Sequence, residues 1–77
     1  MTLNIKAYET ARSIEVYDLV EGAFREVAGS IDWLAMHIPF NEPLWDEVLA
    51  QLQQVELARQ RYLEGEYDLA LKALPEF

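Results

Sequence analysis

Residues 38–43, Ile-Pro-Phe-Asn-Glu-Pro, separate two long segments whose apolar residues recur every three or four positions. Pro39 disfavours continued helix in the residues before it, whereas Pro43 is acceptable in the first turn of a new helix. Asn41 is a good N-cap for this second helix because its side-chain oxygen can accept a free amide proton. A connection this short makes the flanking helices antiparallel neighbours. The stretch therefore predicts an αα-hairpin.

The segment after the turn has a matching start, body and end for a helix over about residues 42–64. Acidic residues lie near its positive N-terminal dipole, and Arg59 and Arg61 lie near its negative C-terminal dipole. Gly65 follows as a residue that can adopt the left-handed conformation with which helices end. The apolar residues form one stripe with helical spacing, made up of Trp45, Val48, Leu49, Leu52, Val55 and Tyr62.

The segment before the turn has apolar spacing typical of three heptads, in Tyr17, Val20, Phe24, Val27, Ile31, Leu34 and Ile38. The dipeptide Gly29-Ser30 raises the alternative of two helices, with Ser30 capping the second. Because the apolar register passes through Gly29 unchanged, one helix over about residues 10–37, bent at the glycine, is favoured over the split. Glu21 and Arg25 have the spacing of a favourable pair within this helix.

The two ends of the chain carry weaker signals. Residues 67–74 predict a short C-terminal helix stopped by Pro75. It is too short to be stable alone, so it packs on the hairpin, the favoured alternative, or docks in the groove of a partner. Residues 1–9 show weak alternation and predict a flexible arm or a strand-like lead. Residues 1–77 are expected to form one all-α domain, because this length leaves no room for a second.

The chain has 31 Ile, Leu, Val, Met, Phe, Trp and Tyr residues, more than two antiparallel helices can cover between them. Uncovered apolar residues of this kind usually mark association sites. We therefore expect the hairpin to form a homodimer, closing into a four-helix bundle. The large or apolar residues outside the two main stripes are Val16, Leu19, Ala23, Trp33, Leu57 and Leu63.

The charge balance limits the classes of partner. The chain carries 14 Asp+Glu against 6 Lys+Arg, a net charge of -8, and residues 27–57 contain no Lys or Arg. Binding to nucleic acid or to an anionic membrane needs a basic face, so neither is expected. The acids instead favour a basic protein partner, although surface acids commonly serve only solubility. With no long apolar stretch for a membrane span or a secretion signal, a cytoplasmic location is expected.

Motifs for catalysis, metals and cofactors are absent from the sequence. Without cysteine, disulfides, Cys-type zinc sites and Cys nucleophiles are excluded. His37 is the only imidazole, and Leu34 three residues before it breaks the Glu-x-x-His pattern of di-iron bundles. A helix-terminal surface histidine is the favoured interpretation. Phosphate-loop and nucleophile-elbow motifs are also missing, so we expect no enzyme activity, no metal and no cofactor.

The stretch with the strongest binding signal surrounds the turn, where aromatic residues and a methionine fall within 13 positions and are rimmed by acids. Trp, Phe and Met are enriched at the cores of protein interfaces. The alternative is that the tryptophans fill the closed end of the hairpin, although both cannot easily face inward. The candidate partner-binding residues are Trp33, Met36, Phe40, Trp45, Asp32, Glu42 and Asp46.

Together these features predict a small acidic helical interaction module that acts as an adaptor, regulator or inhibitor subunit. Two alternatives come from other classes. One is a structural subunit whose self-assembly is its function, and the other is an acidic decoy that mimics nucleic acid and blocks a DNA- or RNA-binding protein. The decoy predicts affinity that falls steeply with salt, whereas apolar docking predicts weak salt dependence.

Overall fold

Three α-helices and no strand make up residues 5–75, the part of the chain that a computed structural model describes. Helix α1 spans Ile5–His37, α2 spans Pro43–Leu63 and α3 spans Tyr67–Ala73. The predicted all-α class is confirmed, as are the two long helices followed by a short one. The α2 and α3 boundaries lie within one residue of those predicted.

The start of α1 differs from the prediction. Residues 5–9, for which a flexible arm or a strand-like lead was the expectation, belong to α1, so the strand-like alternative is wrong for them; residues 1–4 lie outside the described residues. Ala7, Glu9 and Ala11 are strong helix formers and override the weak alternation. The Thr10 hydroxyl donates to the Lys6 carbonyl at 2.9 Å, which satisfies this polar side chain within the helix.

Helix α1 continues through Gly29-Ser30, as the unbroken apolar register predicts. The Ser30 hydroxyl donates to the Glu26 carbonyl at 3.1 Å and therefore caps no second helix. The alternative of two helices separated at this dipeptide is therefore wrong.

The turn between α1 and α2 corrects one detail of the sequence analysis. Glu42, not Asn41, is the N-cap of α2, and its side chain makes no capping hydrogen bond. The Glu42 amide donates to the Pro39 carbonyl at 3.1 Å, so Asn41 lies inside a turn closed by residues 39 and 42. Pro43 is the first helical residue, where its missing amide proton costs nothing.

Helix α2 ends as predicted at Gly65, whose φ of +80° is in the left-handed region. The Gly65 amide donates to the Tyr62 carbonyl at 3.0 Å and the Glu66 amide to the Arg61 carbonyl at 2.9 Å. This is the Schellman arrangement, which satisfies the last carbonyls of the helix while the chain reverses. The reversal brings α3 back against the hairpin.

Helix α3 buries part of the hairpin that the sequence analysis leaves uncovered. Ala70 of α3 is fully buried in one cluster with Val16 and Val20 of α1 and Ala58 of α2. The expectation that Val16 and Ala23 stay uncovered is wrong, because Val16 is fully buried and Ala23 is buried to 9% exposure. The small side chains at these positions allow the helices to approach closely.

A second cluster fills the hairpin toward the turn and contains Ala23, Val27, Leu34, Trp45, Val48 and Val55. Leu74, just after α3, packs against both clusters and joins them. Within residues 5–75, no helix is both long enough and apolar enough to cross a membrane. The cytoplasmic location stays a prediction.

Candidate protein-binding surface

The turn end of the hairpin exposes large apolar side chains. Trp33 and Met36 on the last turns of α1 are 55% and 81% exposed, and Phe40 in the turn is 79% exposed. Asp32, Glu42 and Asp46 at the same end are also exposed. We call the surface formed by Trp33, Met36, Phe40, Asp32, Glu42 and Asp46 the aromatic end.

Trp45, the remaining candidate, lies in the core. Its side chain is 7% exposed and its indole nitrogen donates to the Ile38 carbonyl at 3.2 Å. This hydrogen bond satisfies the one polar atom of a buried tryptophan and holds the turn against α2. The Phe40 ring packs on Trp45 with centroids 4.9 Å apart. Trp45 therefore supports the aromatic end from beneath and does not face solvent.

Trp33 has a different neighbour. Its indole stacks on the His37 imidazole, with centroids 4.3 Å apart and an interplanar angle of 14°. The Nδ1 atom of His37 lies 2.8 Å from the Trp33 carbonyl oxygen. His37 is thus an exposed helix-terminal histidine that orients Trp33. Among residues 5–75, no ring contact joins this pair to Phe40 and Trp45, so the exposed Trp33 and Phe40 rings belong to two separate aromatic pairs.

A small apolar notch lies beside Trp33, between α1 and the first turns of α2. It has a volume of about 250 Å³ and is lined by Trp33, Ser30, Leu34, Leu44 and Val48. Leu44 is 43% exposed and belongs to this surface, although the sequence analysis does not select it. Its spacing of four residues from Val48 is the signal that places both on one face of α2.

The acids of the aromatic end are not neutralised. Within the part of the chain that the structure describes, Asp32, Glu42 and Asp46 make no ion pair. Exposed carboxylates and exposed apolar side chains thus occur at the same end of the hairpin, and protein-binding surfaces commonly combine an apolar centre with a polar, charged periphery.

A second apolar surface lies between α1 and α2 on the side away from α3. It contains an open groove of about 870 Å³, none of whose lining residues belongs to α3. Tyr17 and Leu63 at the groove are 48% and 82% exposed, and Leu49 one turn along α2 from Leu52 is 45% exposed. We call this surface the open face; its large apolar residues are Tyr17, Phe24, Ile31, Leu49, Leu52 and Leu63.

The charges of the open face are paired with one another. The Arg59 guanidinium lies 3.2 Å from the Glu21 carboxylate and 3.7 Å from that of Glu56. It also lies over the Phe24 ring, 4.5 Å from the centroid. The Glu21 pair thus reaches across to α2, and the local pair with Arg25 that the spacing predicts is replaced by it.

No three histidine or carboxylate side chains of residues 5–75 come together as a group that could hold a metal ion. The absence of a metal, a cofactor and enzyme activity stays a prediction. No protein-family model, curated protein or solved structure matches this chain.

Proposed function

We propose that this protein is a helical protein-interaction module that binds a basic protein partner through the aromatic end, as an adaptor, regulator or inhibitor subunit. The observation that carries this proposal is the exposure of Trp33, Met36 and Phe40 beside three unpaired carboxylates. Each of these side chains would contribute about 1–3 kcal/mol if a partner buried it. That is the range in which a few residues dominate binding.

The acidic rim determines which partner chemistry fits. Residues 27–57 contain no Lys or Arg, so no cation of this stretch offsets the carboxylates. A partner with lysine or arginine around an apolar anchor would gain attraction during approach and keep its own charges solvated at the rim. The notch beside Trp33 has the size for one apolar side chain of such a partner.

The test is affinity capture from the native host with matched variants and increasing salt. Trp33→Ser and Phe40→Ser should each lose the captured partner, while Leu19→Ser, a control of 48% exposure that lies about 21 Å from Trp33 along α1, should retain it. Circular dichroism checks that all three variants keep their helices. Equal capture by wild type and Trp33→Ser would remove the aromatic end as the binding surface.

Salt distinguishes the remaining interpretations. Binding that survives high salt but requires Trp33 is apolar docking, whereas binding that disappears steeply with salt and competes with DNA identifies an acidic decoy. Capture of the protein's own chain alone would favour the structural subunit.

Self-assembly is the second candidate function, and the shape of the molecule favours it. Its accessible surface is 5940 Å², against about 4,800 Å² expected for a folded monomer of this mass. Its radius of gyration is 15.7 Å, against about 11.5 Å for a compact chain of this length. We therefore propose that two hairpins associate into a four-helix bundle, which sedimentation of the wild-type chain would detect at twice its 8.9 kDa mass.

A further inference from the structure

We infer that the open face is the surface on which a second copy of this chain binds. The inference rests on the proposed self-association and adds the surface, the composition of the interface and the reason why the aromatic end is left free. It is independent of the partner proposed for the aromatic end.

The open face has the residue pattern of a bundle interface. On α1, Tyr17, Phe24 and Ile31 are spaced by seven residues, with the small residues Ala28 and Ala35 between and beyond them. On α2, a stripe with alternating steps of three and four residues runs through Leu49, Leu52, Glu56, Arg59 and Leu63. Two parallel stripes with this spacing form the kind of surface that packs against two further helices.

The opposite side of the hairpin shows what such a surface needs for burial. There, α3 covers Val16 and Ala58, and both are fully buried. On the open face no helix of residues 5–75 covers the apolar side chains in this way. Tyr17, next to Val16 in sequence, remains 48% exposed. Tyr17, Leu49 and Leu63 of the open face therefore lack a second layer that would bury them.

The molecule has more accessible surface than a compact monomer, and the excess is comparable to the area that each partner buries in a dimer. The accessible surface exceeds that of a compact monomer by about 1,100 Å², and a standard interface buries about 800 Å² on each partner. Helix α2, the shorter of the two long helices, extends about 32 Å, and the molecule is 17 Å wide, so the open face offers roughly 500 Å² of projected area on each copy, and two copies together reach the lower limit of about 1,000 Å² for a specific interface.

Charge indicates a second copy at the open face and not at the aromatic end. Arg59 already neutralises part of the charge of Glu21 and Glu56, so two open faces can approach without a large repulsion. Two aromatic ends would bring the unpaired carboxylates of Asp32 and Asp46 toward their own copies, which is unfavourable. In a two-fold dimer the same patch serves both chains, as the mixed apolar and paired-charge open face allows.

The test compares two leucines of equal exposure. Leu49 on the open face and Leu69 on α3 are both 45% exposed, so Leu49→Glu and Leu69→Glu introduce the same charge at equally exposed positions. Sedimentation equilibrium over micromolar concentrations gives the dimer dissociation constant of each variant. Leu49→Glu should raise it by at least about 100-fold, since the two-fold axis places two unpaired charges in one apolar interface, and Leu69→Glu should change it by less than about threefold.

Leu63→Glu is a second test variant, chosen because it should not disturb the fold of the single chain. Leu63 is 82% exposed, so its replacement removes little packing within one chain, and circular dichroism should show retained helix together with a monomeric mass. A wild-type chain that stays monomeric across the concentration range overturns both self-assembly and the assigned surface. A dimer that persists in both Leu49→Glu and Leu63→Glu overturns the surface alone and leaves self-assembly standing.

The aromatic-end variants separate this inference from the partner proposal. Trp33→Ser should leave the dimer dissociation constant unchanged, and Leu63→Glu should leave capture of a basic partner unchanged. Dissociation of the dimer by Trp33→Ser would contradict the open face as the site of the second copy.

Discussion

Both sides of the helical hairpin carry apolar residues, but only one side is covered by α3. On one side, the seven-residue helix α3 packs on the hairpin, and Val16, Ala58 and Ala70 are fully buried there. On the other side, the open face keeps Leu49 and Leu63 in contact with water. A short helix that is unstable alone thus completes one side of a two-helix structure because the chain reversal at Gly65 makes its docking intramolecular. The other side has no such segment among residues 5–75.

The largest effect that separates the sides is expected at Ala70, the centre of the covered side. Ala70→Asp should lower the free energy of unfolding by at least about 3 kcal/mol, because it places an unpaired charge in a fully buried cluster. Its neighbour Leu69 is 45% exposed, and Leu69→Asp should cost less than about 1 kcal/mol. Urea unfolding followed by circular dichroism measures both; equal costs would show that α3 does not dock through Ala70.

Val16 on the covered side and Tyr17 on the open face are adjacent residues of α1, so substituting each of them compares the two sides. Val16→Ala should cost about 2 kcal/mol at every protein concentration, since Val16 is fully buried within one chain. Tyr17→Ala should lower the free energy of unfolding by about 1 kcal/mol in dilute solution. The loss should be larger at high protein concentration, where association stabilises the wild type. Urea midpoints measured over a 100-fold concentration range check this, and a concentration-independent cost at Tyr17 would contradict association through the open face.

Two arginines provide a smaller contrast. Arg12 pairs with Asp68 across to α3, and the Asp68 side chain is largely solvated, so Arg12→Gln should lower the free energy of unfolding by less than about 0.5 kcal/mol. Arg59→Gln should cost about 1 kcal/mol, because Arg59 contacts two carboxylates and the Phe24 ring. Thermal unfolding at low and high salt measures the difference. An identical loss for both variants would mean that neither the second carboxylate nor the Phe24 ring adds to the stabilisation by Arg59.

Two glycines outside both surfaces should give small effects of opposite sign. A Cβ atom at Gly29 would meet no atom within 4 Å, so Gly29→Ala should raise the free energy of unfolding by about 0.5–1 kcal/mol through helix propensity. Gly65→Ala should lower it by about 1 kcal/mol, because the φ of +80° is unfavourable for alanine. Opposite signs in urea unfolding are the expected outcome, and a loss at Gly29 would indicate a contact on the outer face of α1.

Sequence reasoning succeeded where the controlling interaction is local. The turn at residues 38–43, the helix end at Gly65 and the continuity of α1 through Gly29 all follow from short-range geometry. It failed where several local solutions compete, as at the N-cap, where a turn closed by Pro39 and Glu42 displaces Asn41. For the candidate surface, the sequence selected a segment that the structure exposes in part, but it did not separate exposed Trp33 from buried Trp45, because both occur at positions compatible with either face.

The amino-acid pattern by itself determined an all-helical hairpin with a short third helix, since helix periodicity, proline and glycine act within a few residues of where they occur. Only the tertiary structure decided which side α3 covers, that Glu21 pairs with Arg59 across the helices, and which tryptophan remains at the surface. These outcomes depend on how whole helices are placed against one another, and residues far apart in the chain share no local signal that encodes that placement.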